Sequence, residues 1–139
     1  MEELFMSQEW ITAAQSFFVP LLNLGVNAEI SPESDEKTLE LGSKYLSGDE
    51  CYPEKITLGN FFKVLDLNIR KPSEVAFFMP TADGPCRFGQ YQPLLKNILK
   101  ERGIEDVMVL SPTSENSYNG VADGGSGNFI RTVWQALVC

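Results

Sequence analysis

The chain has 139 residues, 43% of them hydrophobic, and a formal net charge of −8, the proportions of one domain with room for a real core. Its basic residues are scattered, which argues against a nucleic-acid binder, and it has no histidine, which removes Ser-His and Cys-His hydrolase chemistry and imidazole metal sites. No run approaches a membrane span, and the acidic start, Met1-Glu-Glu-Leu-Phe5, is unlike a basic signal peptide, so a soluble cytoplasmic domain is expected.

Trp10, Ala13, Ala14, Phe17, Phe18 and Leu21 keep helical spacing, with Ser7 placed to cap the run, Gly25 to stop it and Pro20 to kink it. Residues 25–30 predict a short strand ending at Ser31-Pro32, and residues 35–45 a polar helix. Residues 47–52 are turn. Pro53 suits the first position of the next helix, whose buried stripe is Leu58, Phe61, Phe62 and Leu65. Val75-Ala-Phe-Phe-Met79 is apolar enough for a buried strand. Tyr91, Leu94, Leu95, Ile98 and Leu99 then mark one face of a helix that ends at Gly103. On this helix Lys96, Lys100 and Arg102 read as a solvated face. Residues 106–110 predict another strand, residues 113–128 a loop, and Ile130, Val133, Trp134 and Leu137 a last helix.

Strands alternating with helices predict the α/β class: a small three-layer, Rossmann-like domain with a short parallel sheet of three or four strands. The strand ends Ile30-Ser-Pro, Met79-Pro-Thr and Leu110-Ser-Pro should gather at the carboxyl edge, where such folds bind ligands. The last helix pattern runs to Cys139 without a stop signal. Residues 1–139 are therefore expected to be a single domain from a longer multidomain protein.

The cysteines are Cys51, Cys86 and Cys139. Their odd number, with no C-x-x-C pair, speaks for reduced thiols rather than a disulfide framework. Cys51 and Cys86 each precede an expected helix start, where backbone N–H groups favour the thiolate, and Arg87 adds a positive charge beside Cys86. Two thiols on one sheet edge suggest a shared soft-metal site; a buried structural cysteine is the plainer alternative. Asp123-Gly-Gly-Ser-Gly-Asn128 lacks the lysine of a P-loop and reads as solvated loop. Ser114-Glu-Asn-Ser117 offers hydroxyls and a carboxylate after a strand end, or simply turn chemistry.

Three segments carry a resemblance. Gly48-Asp-Glu-Cys-Tyr-Pro53 is followed by Lys55 and Leu58-Gly59. The second is Phe77-Phe-Met-Pro-Thr-Ala-Asp-Gly-Pro-Cys-Arg-Phe-Gly-Gln-Tyr91. The third is Asp106-Val with Ser111-Pro112. Together they resemble the 2-hydroxyacyl-CoA dehydratase superfamily. More closely, they are similar to the dehydratase-like segment of large proteins that also carry its BadF/BadG-type activase.

The resemblance implies an anaerobic iron–sulfur lobe that takes electrons from an ATP-dependent activator for CoA-thioester dehydration or reduction. It implies a [4Fe–4S] cluster in the full-length protein, with Cys51 and Cys86 as metal ligands and Arg87, Glu50 and Ser114 as cofactor-binding residues. Cys139 is not counted as a ligand, and no residue is assigned a catalytic role. The implied partners are a C-terminal lobe or partner subunit, the activator and a CoA thioester, without nucleic acid or membrane. The alternative is a non-catalytic α/β interaction or CoA-binding domain with structural cysteines. A flavodoxin-like electron carrier fits less well, because Glu33, Asp35 and Glu36 in the first strand–helix loop would repel a flavin phosphate.

Overall fold

Val75-Ala-Phe-Phe78 has no polar face to offer solvent, and all four residues are buried as an interior strand. The computed structural model of the protein describes residues 3–6, 21–22, 27–67, 71–81, 84–111 and 131. In chain order these give β1 (Glu3–Met6), β2 (Ala28–Ile30), α1 (Glu36–Lys44), α2 (Tyr52–Asp66), β3 (Val75–Phe78), α3 (Tyr91–Glu101) and β4 (Met108–Leu110). Short 3₁₀ turns at Pro72–Glu74 and Arg87–Gln90 lead into β3 and α3.

This is a small α/β domain. Its strands form a parallel sheet in the order β2-β1-β3-β4. Leu4 pairs with Ala28 on one side of β1 and with Ala76 on the other. Phe78 pairs with Leu110, and the Met79 amide donates to the Leu110 carbonyl at 2.9 Å, carrying the pairing one residue further.

The expected strands at 25–30, 75–79 and 106–110 form over shorter spans, and β1 was not anticipated at all. It is the strand between β2 and β3. The chain leaves it for β2 on one side and later returns to β3 on the other, so the topology reverses at β1 and β3. The helix expected around Trp10–Leu21, the 113–128 loop and the closing helix fall outside the described residues, apart from Leu21 and Arg131.

Glu36 starts α1 where Asp35 caps it: the Asp35 carboxylate accepts from the Thr38 amide at 2.9 Å, and the Thr38 hydroxyl accepts from the Asp35 amide at 3.2 Å. Lys63, nearly buried on α2, donates to the Glu33 carbonyl at 2.8 Å and to Asp35 at 2.7 Å, pinning this cap to the neighbouring helix. The two helices touch backbone to backbone. A Cβ at Gly42 would stand 2.9 Å from the Lys55 carbonyl carbon, and one at Gly59 would stand 2.9 Å from that of Thr38.

α2 is the core helix. Leu58, Phe61, Phe62 and Val64 are fully buried, and Phe61 stacks on Phe77 of β3 with ring centroids 4.3 Å apart. α3 adds Leu95, Ile98 and Leu99 to the same core. Its basic residues divide. Lys96 and Lys100 are solvated as expected. Arg102 instead lies over the rings of Tyr45 and Phe62, at 4.9 and 5.2 Å, and reaches Asp66 at 3.2 Å.

Candidate functional site

A turn that closes on itself precedes α2. The Glu50 carboxylate accepts from the Ser47 amide at 3.0 Å, the Ser47 hydroxyl at 2.9 Å and the Gly48 amide at 2.8 Å. Gly48 takes φ +107°, a left-handed conformation that glycine adopts without a steric cost. These donors, the Ser47 amide first, hold the Glu50 carboxyl at about 2. Glu50, expected as a cofactor-binding residue, shapes its own turn through these bonds.

The turn places Cys51 at the N-cap of α2, with the Glu54 amide donating to the Cys51 carbonyl at 3.0 Å. Pro53 enters at the second helical position rather than the first, since Tyr52 already belongs to the helix. A second turn leaves β3 and carries Gly84–Cys86 to the 3₁₀ segment and then α3. Cys86 caps that short segment, so the expected α-helix begins only at Tyr91.

The two turns meet at the carboxyl end of β3. The Arg87 guanidinium donates to the Asp49 carbonyl at 2.6 Å, and the Cys51 thiol and Tyr91 hydroxyl share a hydrogen bond. Arg87 thus engages the other turn. Tyr91 is buried, and burial pushes its phenol above the ordinary value. The hydrogen bond with Cys51 adds to this shift, as do the charges of Cys51, Glu54 and Cys86. The Cys51 thiol therefore bonds this hydroxyl, while Cys86 caps the 3₁₀ turn that leads to Tyr91. Cys51 is half-buried and Cys86 is exposed.

Beside this junction lies an open cleft of about 420 Å³ between the turn before α2 and the first turns of α3. Asp49, Glu50 and Glu54 supply its acids, Arg87 its cation, Gln90 and Asn97 its amides, and Pro93 and Leu94 its apolar wall. Glu54 is the residue that sequence reasoning missed. It is only 3% exposed, and its hydrogen-bonding contact is the Cys51 thiol, 4.0 Å from Oε2. Burial pushes the Glu54 carboxyl up, Glu50 pushes it further, and Arg87 opposes both. A signal was available: an acid in the first turn of a helix entered through proline sits beside the backbone N–H groups that favour negative charge. Neither Cys51 nor Cys86 lines the cleft. Ser114 and Cys139 lie outside the described residues.

This arrangement overturns the iron–sulfur reading. Among the described residues, no group of three His, Cys, Asp or Glu side chains is placed to hold a metal ion. A [4Fe–4S] cluster takes four thiolates as a rule, whereas the described residues offer two thiols, of which Cys51 is hydrogen-bonded to a tyrosine. The dehydratase-like iron–sulfur lobe, and the metal-binding roles expected of Cys51 and Cys86, are therefore not supported by the residues present.

No protein-family model matches the chain, and no curated protein matches it either. No described helix is long and apolar enough to cross a membrane.

Proposed function

We propose that this protein is a non-catalytic interaction module, built on a Rossmann-like sheet, in which Cys51 is structural. The observation that carries the reading is the separation of thiols from cleft: among the described residues, the cleft at the junction of the two turns is lined by neither Cys51 nor Cys86. A molecule in that cleft meets carboxylates, amides and an arginine, but no nucleophilic sulfur. Cys51 instead ties the start of α2 to the start of α3 through Tyr91.

The strand order β2-β1-β3-β4, with its reversal between β1 and β3, supports the Rossmann-like description. Coenzyme A suits the cleft poorly. Its phosphates would face Asp49, Glu50 and Glu54, with Arg87 already bonded to a carbonyl. The partner is a further lobe or a separate subunit. The likeness to the dehydratase superfamily is, on this reading, a shared scaffold without the cluster.

The test is a photo-crosslinking residue at Asn97, an exposed position in the cleft, introduced in the source cells. One adduct of defined mass is expected. It should be absent when the label is moved to Glu36 on α1, and lost when Gln90→Trp fills the cleft rim. A rise in melting temperature on adding coenzyme A, or no Asn97 adduct, would overturn the proposal.

A further inference from the structure

Glu54 is an expensive residue to bury. An ionised carboxylate offers about four lone-pair positions, and removing it from water without donors is costly. Among the described residues Glu54 has one weak donor, the Cys51 thiol at 4.0 Å, although its exposure is only 3%. Asp35 and Glu50, by contrast, each accept at least three hydrogen bonds at 3.2 Å or less. The cleft's cation, Arg87, influences Glu54 through its charge but directs its NH1 to the Asp49 carbonyl. Glu54 is thus a nearly buried carboxylate lining an open cleft without a nitrogen donor of its own.

The rest of the cleft says what would supply one. Pro93 and Leu94 form an apolar wall, and Gln90 and Asn97 stand along the same hollow. Lysine and arginine have this division: an aliphatic stem that packs on apolar surface and a cationic head that seeks oxygen. A phosphate or carboxylate group would meet an uncompensated acid.

We propose that the cleft receives a lysine or arginine side chain from a partner protein, with the stem on Pro93 and Leu94 and the cationic nitrogen against Glu54. This rests on the interaction-module reading and names the chemistry of its partner. The chain's net charge of −8 would favour approach of such a basic segment and fall in effect with salt. Glu54 would give the contact its position.

The probe is an acetylated and amidated Gly-Lys-Gly-Lys-Gly peptide, with its acetyllysine counterpart and spermidine as comparisons. Binding is read from the carboxyl-carbon NMR signal of Glu54. The lysine peptide should move that signal, and the acetyllysine form should not. Glu54→Gln should weaken binding about tenfold, the scale of one lost charge-assisted hydrogen bond, whereas Asp49→Asn should cost less than about twofold. Gln90→Glu, at an exposed position, should tighten binding and tests the same idea if Glu54→Gln fails to fold.

Equal weakening by Glu54→Gln and Asp49→Asn would reduce the effect to overall charge and overturn the proposal. So would spermidine that binds as tightly as the peptide with the same Glu54 shift, since that would mark a small-amine site. A peptide that fails while the Asn97 adduct persists would remove the cationic side chain from the cleft and leave the interaction module standing.

Discussion

Replacing Gly59 with alanine should destabilise the protein, against the usual gain from removing glycine from a helix. That gain is about 1 kcal/mol. Here the new Cβ would stand 2.9 Å from the Thr38 carbonyl carbon, and nearer still to its oxygen. Both atoms belong to the α1 backbone, so no rotamer change relieves the clash. α1 would have to retreat by roughly an ångström in an interior packed as densely as a crystal. Its Leu41 would move with it, away from the core around Phe62. Overpacking costs about 1–3 kcal/mol and more where backbone must shift. The larger end applies, for a net loss of about 2 kcal/mol after the propensity gain. In a chain of this size that is a fall in melting temperature of roughly 5–10 °C, measurable by circular dichroism and urea titration. Gly42→Ala should behave alike, because its Cβ meets Lys55 across the same contact. The double variant should cost less than the sum, since one displacement of α1 relieves both clashes. An unchanged or raised melting temperature in Gly59→Ala would refute the close-approach argument.

Tyr91→Phe should lower stability by about 1 kcal/mol, the scale of one hydrogen bond, and should speed alkylation of Cys51; unchanged labelling would show that the hydroxyl does not protect the thiol. In the native wild type, iodoacetamide should label exposed Cys86 before half-buried Cys51, with the order read by peptide mass spectrometry and the difference vanishing in urea. Asp35, held at about 2 chiefly by its hydrogen bond from Lys63, lies below its ordinary value of about 3.9. Its stabilising contribution is therefore present above about pH 4 and lost as pH falls toward 2. Lys63→Met should lower stability at neutral pH and flatten this acid limb. Glu50, also at about 2, should leave part of the limb in place; an acid limb identical to the wild type would refute the Lys63–Asp35 linkage.

The apolar run made β3 legible, because a parallel strand buried on both faces shows as an uninterrupted hydrophobic segment; the edge strands β2 and β4, mostly exposed or half-buried, showed as short runs closed by Ser-Pro. β1 was not legible. Glu3-Leu-Phe-Met6 is too short to establish a period, and its acidic start reads as a contrast to a signal peptide rather than as a strand. α1, α2 and α3, with its start at Tyr91, followed from helical spacing, but the 3₁₀ turn at Arg87–Gln90 that separates Cys86 from α3 did not. That the turns carrying Cys51 and Cys86 would come into contact, as Arg87 and Asp49 do, could be read from the punctuation of helices and strands. The side chains at that junction could not: Tyr91 reads as helix face from its spacing, and nothing in the sequence marks Glu54 as buried. Arg102 misled for a similar reason. Its aromatic partners, Tyr45 and Phe62, lie far from it in sequence, and a cation on a helix rim looks solvated until they are placed.

The position of β1 governs when the sheet can form. Glu3 pairs with Val75 across roughly seventy intervening residues, a separation of the kind that slows folding because the loop must close before the contact rewards it. α1 and α2, by contrast, meet across a short connection and can dock early. During synthesis the first strand leaves the ribosome long before the one it must pair with on its inner side. Until β3 arrives, the β1 edge that Val75, Ala76 and Phe77 will occupy is an open template for another chain. A chaperone that shields that edge, or a fusion that delays its exposure, should raise the yield of folded protein more than any stabilisation of the helices.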